Sequence, residues 1–295
     1  MVHHERCPLC DSGMIADHIL CTDHFISKEK FPIARCGSCG FLFTQDYPED
    51  NDIGRYYESA DYISHSDTSE GLINKIYHLV RRLMLQRKRV IIEKITGLKT
   101  GTLLDVGSGT GHFAALMKES GWDAKGIEIN EKARSFATET FGLEIVSPDR
   151  IASLTANAFD CITMWHVLEH FHDPQKYVED ILKLLKTGGI CLVALPNSSS
   201  FDALHYGKFW AAFDIPRHLW HFDPKTFSHF AGKNGLIIER HFILPFDVFY
   251  ISALSEKYKS SRLPFFKGIV KGFWFAFLTL FNRRRSSSVI YILRK

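Results

Sequence analysis

A glycine-rich turn in the first half of the chain constrains the fold more than any other stretch. Residues 102–106 form a short apolar run of β-forming residues, and Gly107, Gly109 and Gly111 follow. Apolar residues then recur with helical spacing, so the pattern predicts a strand, a tight loop and the start of a helix. Glycine removes Cβ atoms where the backbone turns sharply and lets a ligand come close. The predicted helix start offers unpaired N–H groups to an anionic or polar ligand.

The stretch after this loop indicates which kind of ligand it binds. Residues 122–130 are predicted to form a second strand that ends at Glu128, where a doubly wound sheet places a ribose-binding acid. The loop has the spacing G-x-G-x-G, whereas dinucleotide-binding loops have G-x-G-x-x-G. It also lacks the Gly-Lys-Ser/Thr of a phosphate-gripping loop. A loop without a cation suits a cofactor that has no polyphosphate.

In these residues the chain resembles the class I S-adenosylmethionine-dependent methyltransferases, whose first motif looks like residues 104–111. The resemblance extends over residues 85–245. It implies an α/β fold, in which a seven-stranded Rossmann-like sheet carries helices on both faces, and S-adenosyl-L-methionine as cofactor. Glu128 would bind the ribose hydroxyls, and Asp149 would lie near the adenine amine or simply cap a helix or turn. The implied cofactor-binding residues are Asp105, Gly107, Ser108, Gly109, Gly111, Glu128, Ile129, Asp149, Trp165 and His166.

The remaining elements can be predicted from periodicity and turn residues. A basic amphipathic helix over 72–95 precedes the glycine loop, and its charges form either a solvated face or a nucleic-acid surface; the solvated face is favoured. The other helices are predicted at 131–141, 174–186 and 224–233. Further strands are predicted at 143–146, 159–165, 190–195, 236–243 and 289–293. In the resembled fold the last two strands pair as an antiparallel hairpin at one edge of the sheet.

The composition is that of an ordinary globular protein, with 295 residues, 45% hydrophobic and 23% charged. The net charge of +3 is too small to indicate a nucleic-acid partner by itself. The first residues have no apolar signal-peptide core, so a cytoplasmic location is expected. In such a compartment, seven cysteines indicate metal binding or free thiols, and not a disulfide framework.

Four of these cysteines form two C-x-x-C pairs, namely Cys7, Cys10, Cys36 and Cys39. Four thiolates from two such turns match a tetrahedral structural Zn²⁺ site, which is closed and serves folding, not catalysis. Gly40 and Gly13 suit tight knuckles after the two pairs. The alternatives are chance pairs of buried thiols or a redox role, which is disfavoured because neither pair lies in a βαβ context. Three residues between the pairs could substitute as ligands: His18, Cys21 and His24.

These patterns predict three parts of the chain. A zinc ribbon is expected at 1–45, a linker or lid at 46–71, and the methyltransferase domain at 72–295 with an insertion at about 245–286. Tyr56, Tyr57 and Tyr62 in the linker either cover the cofactor pocket, as the resemblance implies, or pin the linker to the surface.

The segment Trp165–His170 reads W-H-V-L-E-H. H-x-x-E-H is also an inverted zinc-protease pattern, but that site requires a helix, and this segment follows a predicted strand. It looks more like the V-L-E-H segment of quinone-biosynthesis O-methyltransferases, whose E-x-x-E-H motif is linked to a divalent metal. This chain departs from that motif, because His166 replaces the first glutamate. We therefore expect Glu169 and His170 to orient the loop, with His166 as a candidate base.

A second cluster, over residues 209–224, is rich in tryptophan, phenylalanine and histidine. Such a stretch suits a lid over a flat or apolar acceptor, although it could also cover the sheet edge as an ordinary aromatic patch. Arg217 could pair with an acidic substrate group. The candidate catalytic bases are His218, His166 and His221, and His218 is favoured because a lid would hold a substrate hydroxyl.

A third stretch, 263–285, is aromatic and ends in basic residues. It could pack on its own domain, lie at a membrane interface or form a homodimer face. The chain as a whole predicts a methyltransferase that acts on a small-molecule acceptor, either phenolic, lipid-like or sugar. An RNA methyltransferase with a zinc-ribbon recognition module is the alternative, although nucleic acid is not the expected partner. A non-catalytic zinc-ribbon interaction protein is a further alternative, against which the intact glycine loop argues.

Overall fold

The computed structural model describes residues 1–57 and 72–294, apart from the side chains of 72–77. Tyr62 and most of the predicted linker therefore lie outside the described residues. The strands are β1 Ile15–Thr22, β2 Lys30–Cys36, β3 Leu42–Thr44, β4 Thr102–Val106, β5 Asp123–Ile127, β6 Glu144–Val146, β7 Phe159–Trp165, β8 Leu185–Pro196, β9 Trp220–His221, β10 Ile237–Ile243 and β11 Ser288–Arg294. The α-helices are α1 Leu72–Thr96, α2 His112–Glu119, α3 Glu131–Phe141, α4 Pro174–Leu184, α5 Phe201–Tyr206, α6 Pro224–Lys233, α7 Asp247–Tyr258 and α8 Pro264–Phe281.

The larger sheet has seven strands in the order β10-β11-β8-β7-β4-β5-β6, which confirms the predicted Rossmann-like sheet. β10 and β11 are neighbours at one edge, as the resemblance implied. β4 pairs in parallel with β5 on one side and with β7 on the other. Since the carboxyl ends of parallel strands meet at one edge, the loops after β4, β5 and β7 leave the sheet together. This is where the predicted cofactor residues are.

The smaller sheet has four strands in the order β1-β2-β3-β9. Its first three strands come from the predicted zinc ribbon, but β9 comes from the aromatic segment more than 170 residues later. The pairing is antiparallel, with Leu42 opposite His221 and Phe43 opposite Trp220. Phe43 is fully buried in this sheet, and Phe41 stacks on Trp220 at a ring-centroid distance of 6.3 Å. Burial of these aromatic rings supplies a hydrophobic reason for so short a strand to pair with the ribbon.

By its internal contacts, the described chain divides into two compact units whose boundaries differ from the predicted ones. The first unit consists of residues 1–57, Leu168–Pro174 and Ala194–Tyr291. The second consists of residues 72–167, Gln175–Val193 and the C-terminal residues from Ile292. The zinc-ribbon sequence is thus part of a larger unit, because segments that follow β7 and β8 pack onto it.

Candidate functional site

The glycine loop belongs to the second unit and follows β4. Gly107, Gly109 and Gly111 have φ angles of 67°, 54° and 79°, in the left-handed region that glycine adopts at little cost. A Cβ atom on Gly107 would lie 2.4 Å from Val167 Cγ2, and one on Gly111 would lie 2.7 Å from Ala137 Cβ. At Gly109 a Cβ atom would meet nothing within 4 Å. Packing as well as backbone conformation therefore requires glycine at positions 107 and 111. Gly109 borders open space where a ligand can approach.

Glu128, which follows β5, is the acid predicted to bind the ribose. Its Oε2 accepts a hydrogen bond from the Gly109 N–H at 2.8 Å, and its Oε1 accepts one from the Asn130 N–H at 2.9 Å. The carboxylate is buried and is held by two backbone donors, so it is pre-oriented and also ties the glycine loop to β5. Each oxygen retains a lone pair for a ligand hydroxyl.

Asp105 is the most strongly perturbed acid of this loop. It is fully buried near the end of β4, and its Oδ1 accepts a hydrogen bond from Thr163 Oγ1 at 2.6 Å. Burial raises the pKa of Asp105 to about 6, although the Thr163 hydroxyl and the positive charge of Lys88 oppose this shift. The negative charge of Glu128 adds to it. A buried carboxyl with a raised pKa next to an open loop is typical of a binding site.

Two buried polar atoms support a polar ligand at this edge. Ser108 Oγ and Trp165 Nε1 have no hydrogen-bond partner among the residues the structure describes. Because buried polar groups normally have partners, such atoms point to a molecule that binds there. Lys88, from the basic helix α1, lies over the Trp165 ring at 4.1 Å from its centroid. The open glycine, the pre-oriented Glu128 carboxylate and these two atoms fit S-adenosylmethionine.

The other predicted cofactor residues differ in their placement. Ile129 is 79% exposed directly after Glu128. Asp149 is exposed in the first turn of a short 3₁₀ helix, where the Ser147 hydroxyl donates to it and lowers its pKa. His166 follows β7 with a φ angle of 57°, an uncommon conformation for a non-glycine residue. The contacts of these side chains with a cofactor stay a prediction.

The four predicted zinc ligands converge in the first unit. The sulfur atoms of Cys7 and Cys39 are 3.7 Å apart, those of Cys10 and Cys36 are 3.6 Å apart, and all four lie within 4.8 Å of one another. Thiolates about 2.3 Å from a tetrahedral zinc ion lie about 3.8 Å from each other, so this donor set fits Zn²⁺. His18, Cys21 and His24, which could have replaced a cysteine ligand, are not part of the cluster as the structure describes it.

The two knuckles turn in the same way with different residues. Gly40, directly after the second pair, has a φ angle of 84°, and its N–H donates to the Cys36 carbonyl at 2.9 Å. In the first knuckle the equivalent residue is Asp11, with a φ angle of 61° and an N–H bond to the Cys7 carbonyl at 2.8 Å. The expectation that Gly13 serves this turn is therefore wrong. Aspartate can take the left-handed conformation, so the pattern did not require glycine there.

A third cluster was not predicted as a group. Glu169, His170 and His218 bring one ligand atom each within 4.8 Å of one another in the first unit. All three are buried or half-buried, and the His170 and His218 rings meet edge to face at 4.5 Å. Tyr57, one of the predicted linker tyrosines, places its hydroxyl 3.0 Å from His170 Nδ1. Tyr56 instead lies in the core of the unit.

The hydrogen bonds of His218 indicate which ring nitrogen carries the proton and which one carries the free lone pair. Its Nδ1 lies 2.9 Å from the Ala212 carbonyl, which can only accept, so we assign the proton to Nδ1. Its Nε2 then faces two carboxylates, 3.9 Å from Glu169 Oε1 and 4.0 Å from Asp214 Oδ2. Burial lowers the pKa of His170 to about 4, and the neighbouring His218 adds to this lowering, so His170 is neutral at neutral pH.

Arg217 and His221 are both occupied by protein groups. The Arg217 guanidinium donates to Asp214 at 2.6 and 2.9 Å, to Asp23 at 3.1 Å and to the Tyr56 carbonyl at 2.9 Å. It therefore connects parts of the first unit, and the expectation that it pairs with an acidic substrate group is not supported by this arrangement. His221 is buried in β9, with Nε2 3.0 Å from Thr44 Oγ1, and burial lowers its pKa well below its usual value. This environment favours a packing role over catalysis.

Comparison with known proteins agrees with the loop geometry. A model of the Methyltransferase domain family matches residues 76–241, which is more than half of the chain. The chain belongs to this methyltransferase family. The prediction of a class I S-adenosylmethionine-dependent methyltransferase is thereby confirmed, together with its cofactor class.

Among curated relatives, the methyltransferase is similar to ubiquinone biosynthesis O-methyltransferases. It is 34% identical to the one from Psychrobacter arcticus over 110 residues, which are 34% of this chain and 43% of that protein. It is 30% identical to the one from Methylococcus capsulatus over 175 residues, which are 55% of this chain and 72% of that protein. The chain thus matches less than half of the length of the first of these relatives.

A solved structure shows the same fold. The magnesium protoporphyrin IX methyltransferase from Synechocystis PCC 6803, crystallised with bound SAH, superposes with a TM-score of 0.53 at 15% identity. The superposition covers 83% of this methyltransferase and 99% of that chain.

Proposed function

We propose that this methyltransferase transfers the methyl group of S-adenosylmethionine to a hydroxyl oxygen of a small-molecule acceptor, and that His218 receives the hydroxyl proton. The observation that carries the proposal is the convergence of Glu169, His170 and His218. Oxygen transfer is further supported by the similarity to the ubiquinone biosynthesis O-methyltransferases.

The reaction is an in-line displacement at the methyl carbon. The acceptor oxygen forms a bond to that carbon, the carbon–sulfur bond breaks, and S-adenosylhomocysteine leaves with the electron pair on sulfur. The protein contributes alignment of donor and acceptor, and removal of the hydroxyl proton. Glu128 and the glycine loop would orient the donor, while the lone pair on His218 Nε2 would take the proton.

The surroundings of His218 suit a proton acceptor. The Ala212 carbonyl fixes Nδ1 as the protonated nitrogen, so Nε2 carries the lone pair. Once Nε2 is protonated, the Glu169 and Asp214 carboxylates stabilise the imidazolium. Burial alone would raise the pKa of Asp214, but its interactions with neighbouring groups, chiefly the charge and hydrogen bonds of the Arg217 guanidinium, together hold that pKa below its usual value. Asp214 is therefore ionised when it is needed.

A divalent cation is compatible with the same side chains. Two imidazoles and one carboxylate form a mixed nitrogen and oxygen donor set, which suits first-row divalent metals. Glu169, His170 and His218 would hold the ion, although His166 replaces the first glutamate of the resembled motif. A bound cation would polarise the acceptor hydroxyl and lower its pKa.

The test is methyl transfer from labelled S-adenosylmethionine to separate phenolic, lipid, sugar and RNA fractions, followed by location of the label in the product by NMR. We expect label on oxygen of a small molecule. Label in RNA, or on nitrogen or carbon of every acceptor, would contradict the proposal. Repeating the assay after dialysis against a chelator, with and without added Mn²⁺, separates direct proton transfer to His218 from a requirement for the metal.

A further inference from the structure

The insertion between β10 and β11 contains a helix, α8, whose large apolar side chains are mostly exposed and whose small residues are buried. In α8 the buried positions are Gly268, Gly272, Phe275 and Thr279, spaced as one helical face. A helix of a water-soluble domain normally buries its large apolar side chains and exposes its polar ones. Here two glycines and a threonine face the protein beside a single large ring, that of Phe275, while most of the large apolar side chains are exposed.

The buried glycines explain how α8 is held. A Cβ atom on Gly268 would lie 2.4 Å from the Ala253 Cα, and one on Gly272 would lie 2.6 Å from the Phe249 Cδ1. Both neighbours belong to α7, so the two helices pack backbone to backbone along this face. Close packing of this kind fixes the rotation of α8 about its axis, and therefore determines which side chains point away from the protein.

The side chains that point away form an aromatic face. Phe273 is 65% exposed and Leu280 is 70% exposed. The aromatic face consists of Phe266, Val270, Phe273, Trp274, Phe277, Leu280 and Phe281. Neighbouring rings contact one another, as with Trp274 and Phe277 at 6.0 Å. A continuous apolar surface of this kind marks a site of interaction with a protein or a membrane.

The charge around the aromatic face selects between these partners. Residues 262–285 contain no acidic residue and six basic ones: Arg262, Lys267, Lys271, Arg283, Arg284 and Arg285. Lys271 contacts His205, and Arg285 donates to the Ser199 carbonyl. Arg283 and Arg284 are exposed at the end of the helix and have no ion pair among the described residues. An aromatic face beside unpaired cations is complementary to an anionic lipid surface.

The depth of insertion follows from the packing. α8 is long and apolar enough to cross a bilayer, with 18 residues, a mean hydropathy of 1.3 and 22% of its residues buried. However, the face of the helix that contains Gly268 and Gly272 is packed closely on Ala253 and Phe249 of α7. A helix that crossed the bilayer would have to give up this close packing against the rest of the first unit. The helix can therefore lie in the plane of the interface with only its aromatic face immersed.

We infer that α8 docks this protein on an anionic membrane surface, with the aromatic face in the lipid and Arg283 and Arg284 at the headgroups. This inference stands apart from the proposed acceptor. An interfacial position would nevertheless give the enzyme access to apolar acceptors that partition into the bilayer.

The test is sedimentation of the full chain with vesicles of phosphatidylcholine alone, or with roughly one quarter phosphatidylglycerol. We expect binding to the anionic vesicles that is at least about tenfold stronger and that weakens with salt. Phe273→Asp/Phe277→Asp should abolish it, and Arg283→Glu/Arg284→Glu should remove the preference for anionic lipid. The matched control, Leu20→Asp/Ile237→Asp, adds the same charge at exposed apolar positions elsewhere and should bind as the wild type does.

Three outcomes would overturn the inference. Equal binding of the wild type and the Phe273→Asp/Phe277→Asp variant would exclude the aromatic face. Retention in the membrane after alkaline carbonate extraction would indicate a spanning helix. A dimer that the same variant converts to monomer, without vesicle binding by the wild type, would assign the face to a second copy of the chain. Brominated lipid should also quench Trp274, and Trp274→Phe should lose that quenching while it still sediments.

Discussion

The glycine loop and the Glu169–His170–His218 cluster are built in opposite ways. The glycine-loop region, from Asp105 to Glu128, lies within one short stretch and uses backbone N–H groups, left-handed glycines and two buried carboxylates. The cluster joins residues almost fifty positions apart and consists of titratable side chains. A backbone-built site tolerates few sequences and leaves a recognisable motif, whereas a side-chain cluster depends on where distant segments meet.

The two regions also differ in what supports them. Glu128 and Asp105 are held by their own sheet, through β4, β5 and β7. His218 lies between Asp214, which is ion-paired with Arg217, and the small sheet that carries the cysteine cluster. We therefore expect changes in the two regions to separate cofactor binding from turnover.

The largest effect should follow removal of zinc. We expect elemental analysis to find about one zinc per chain, and Cys10→Ser with chelation to unfold the first unit, since structural zinc contributes on the order of 10 kcal/mol. Turnover should be lost while binding of S-adenosylhomocysteine, measured by calorimetry, persists. An N-terminal sheet that stays ordered in a metal-free preparation would show that the four thiols do not need the ion.

Replacement of the proposed base should give the next largest effect. His218→Ala is expected to lower turnover roughly 10²–10⁴-fold, the range for loss of a general base. Cofactor affinity should stay unchanged, and His229→Ala, at an exposed histidine of α6, serves as the control. If His218→Ala retains turnover and His166→Ala loses it, the base is His166. If both retain it, neither imidazole takes the proton.

Asp105 should make the cofactor-free protein depend on pH. Its pKa is raised from 3.8 to about 6, so the folded state favours the protonated acid. The contribution of the protonated acid to the free energy of unfolding is fully present below pH 3.8 and is lost as the pH rises through about 6. At neutral pH the free energy of unfolding is therefore lower by roughly 3 kcal/mol than it would be without the shift. Asp105→Asn should remove this dependence and stabilise the protein at pH 7 by up to about that amount. Urea midpoints across pH, with Asp123→Asn as control, would measure it, and an unchanged profile would disprove the shift.

Loss of the ribose-binding acid should have the smallest effect. Glu128→Ala is expected to weaken S-adenosylmethionine binding by roughly 1.5–3 kcal/mol, the scale for a hydrogen bond to a charged group. Calorimetry against Glu131→Ala, an exposed acid at the start of α3, would show whether the effect is specific. Undiminished affinity would remove Glu128 from the cofactor site and leave it only the role of holding the Gly109 N–H.

The prediction of the methyltransferase sheet and its glycine loop succeeded because the signals for them are local. Strand, loop and helix alternate with clear periodicity. Each glycine of the loop has a positive φ angle, a conformation that the presence of glycine indicates. The same is true of the two C-x-x-C pairs. Where the signal was less specific the prediction failed, as at Asp11, because the left-handed turn after a knuckle accepts aspartate as well as glycine.

By itself the sequence determined the methyltransferase sheet, the glycine loop, the acid at the end of β5 and the four thiols that meet in the first unit. Only the tertiary structure decided that β9 completes the N-terminal sheet, that Arg217 is saturated by Asp214 and Asp23, and that His218 meets Glu169 and His170. It also decided that α8 turns its glycines inward. The physical reason is that periodicity records whether a side chain is buried, whereas its partner across the fold depends on long-range packing that no local pattern encodes.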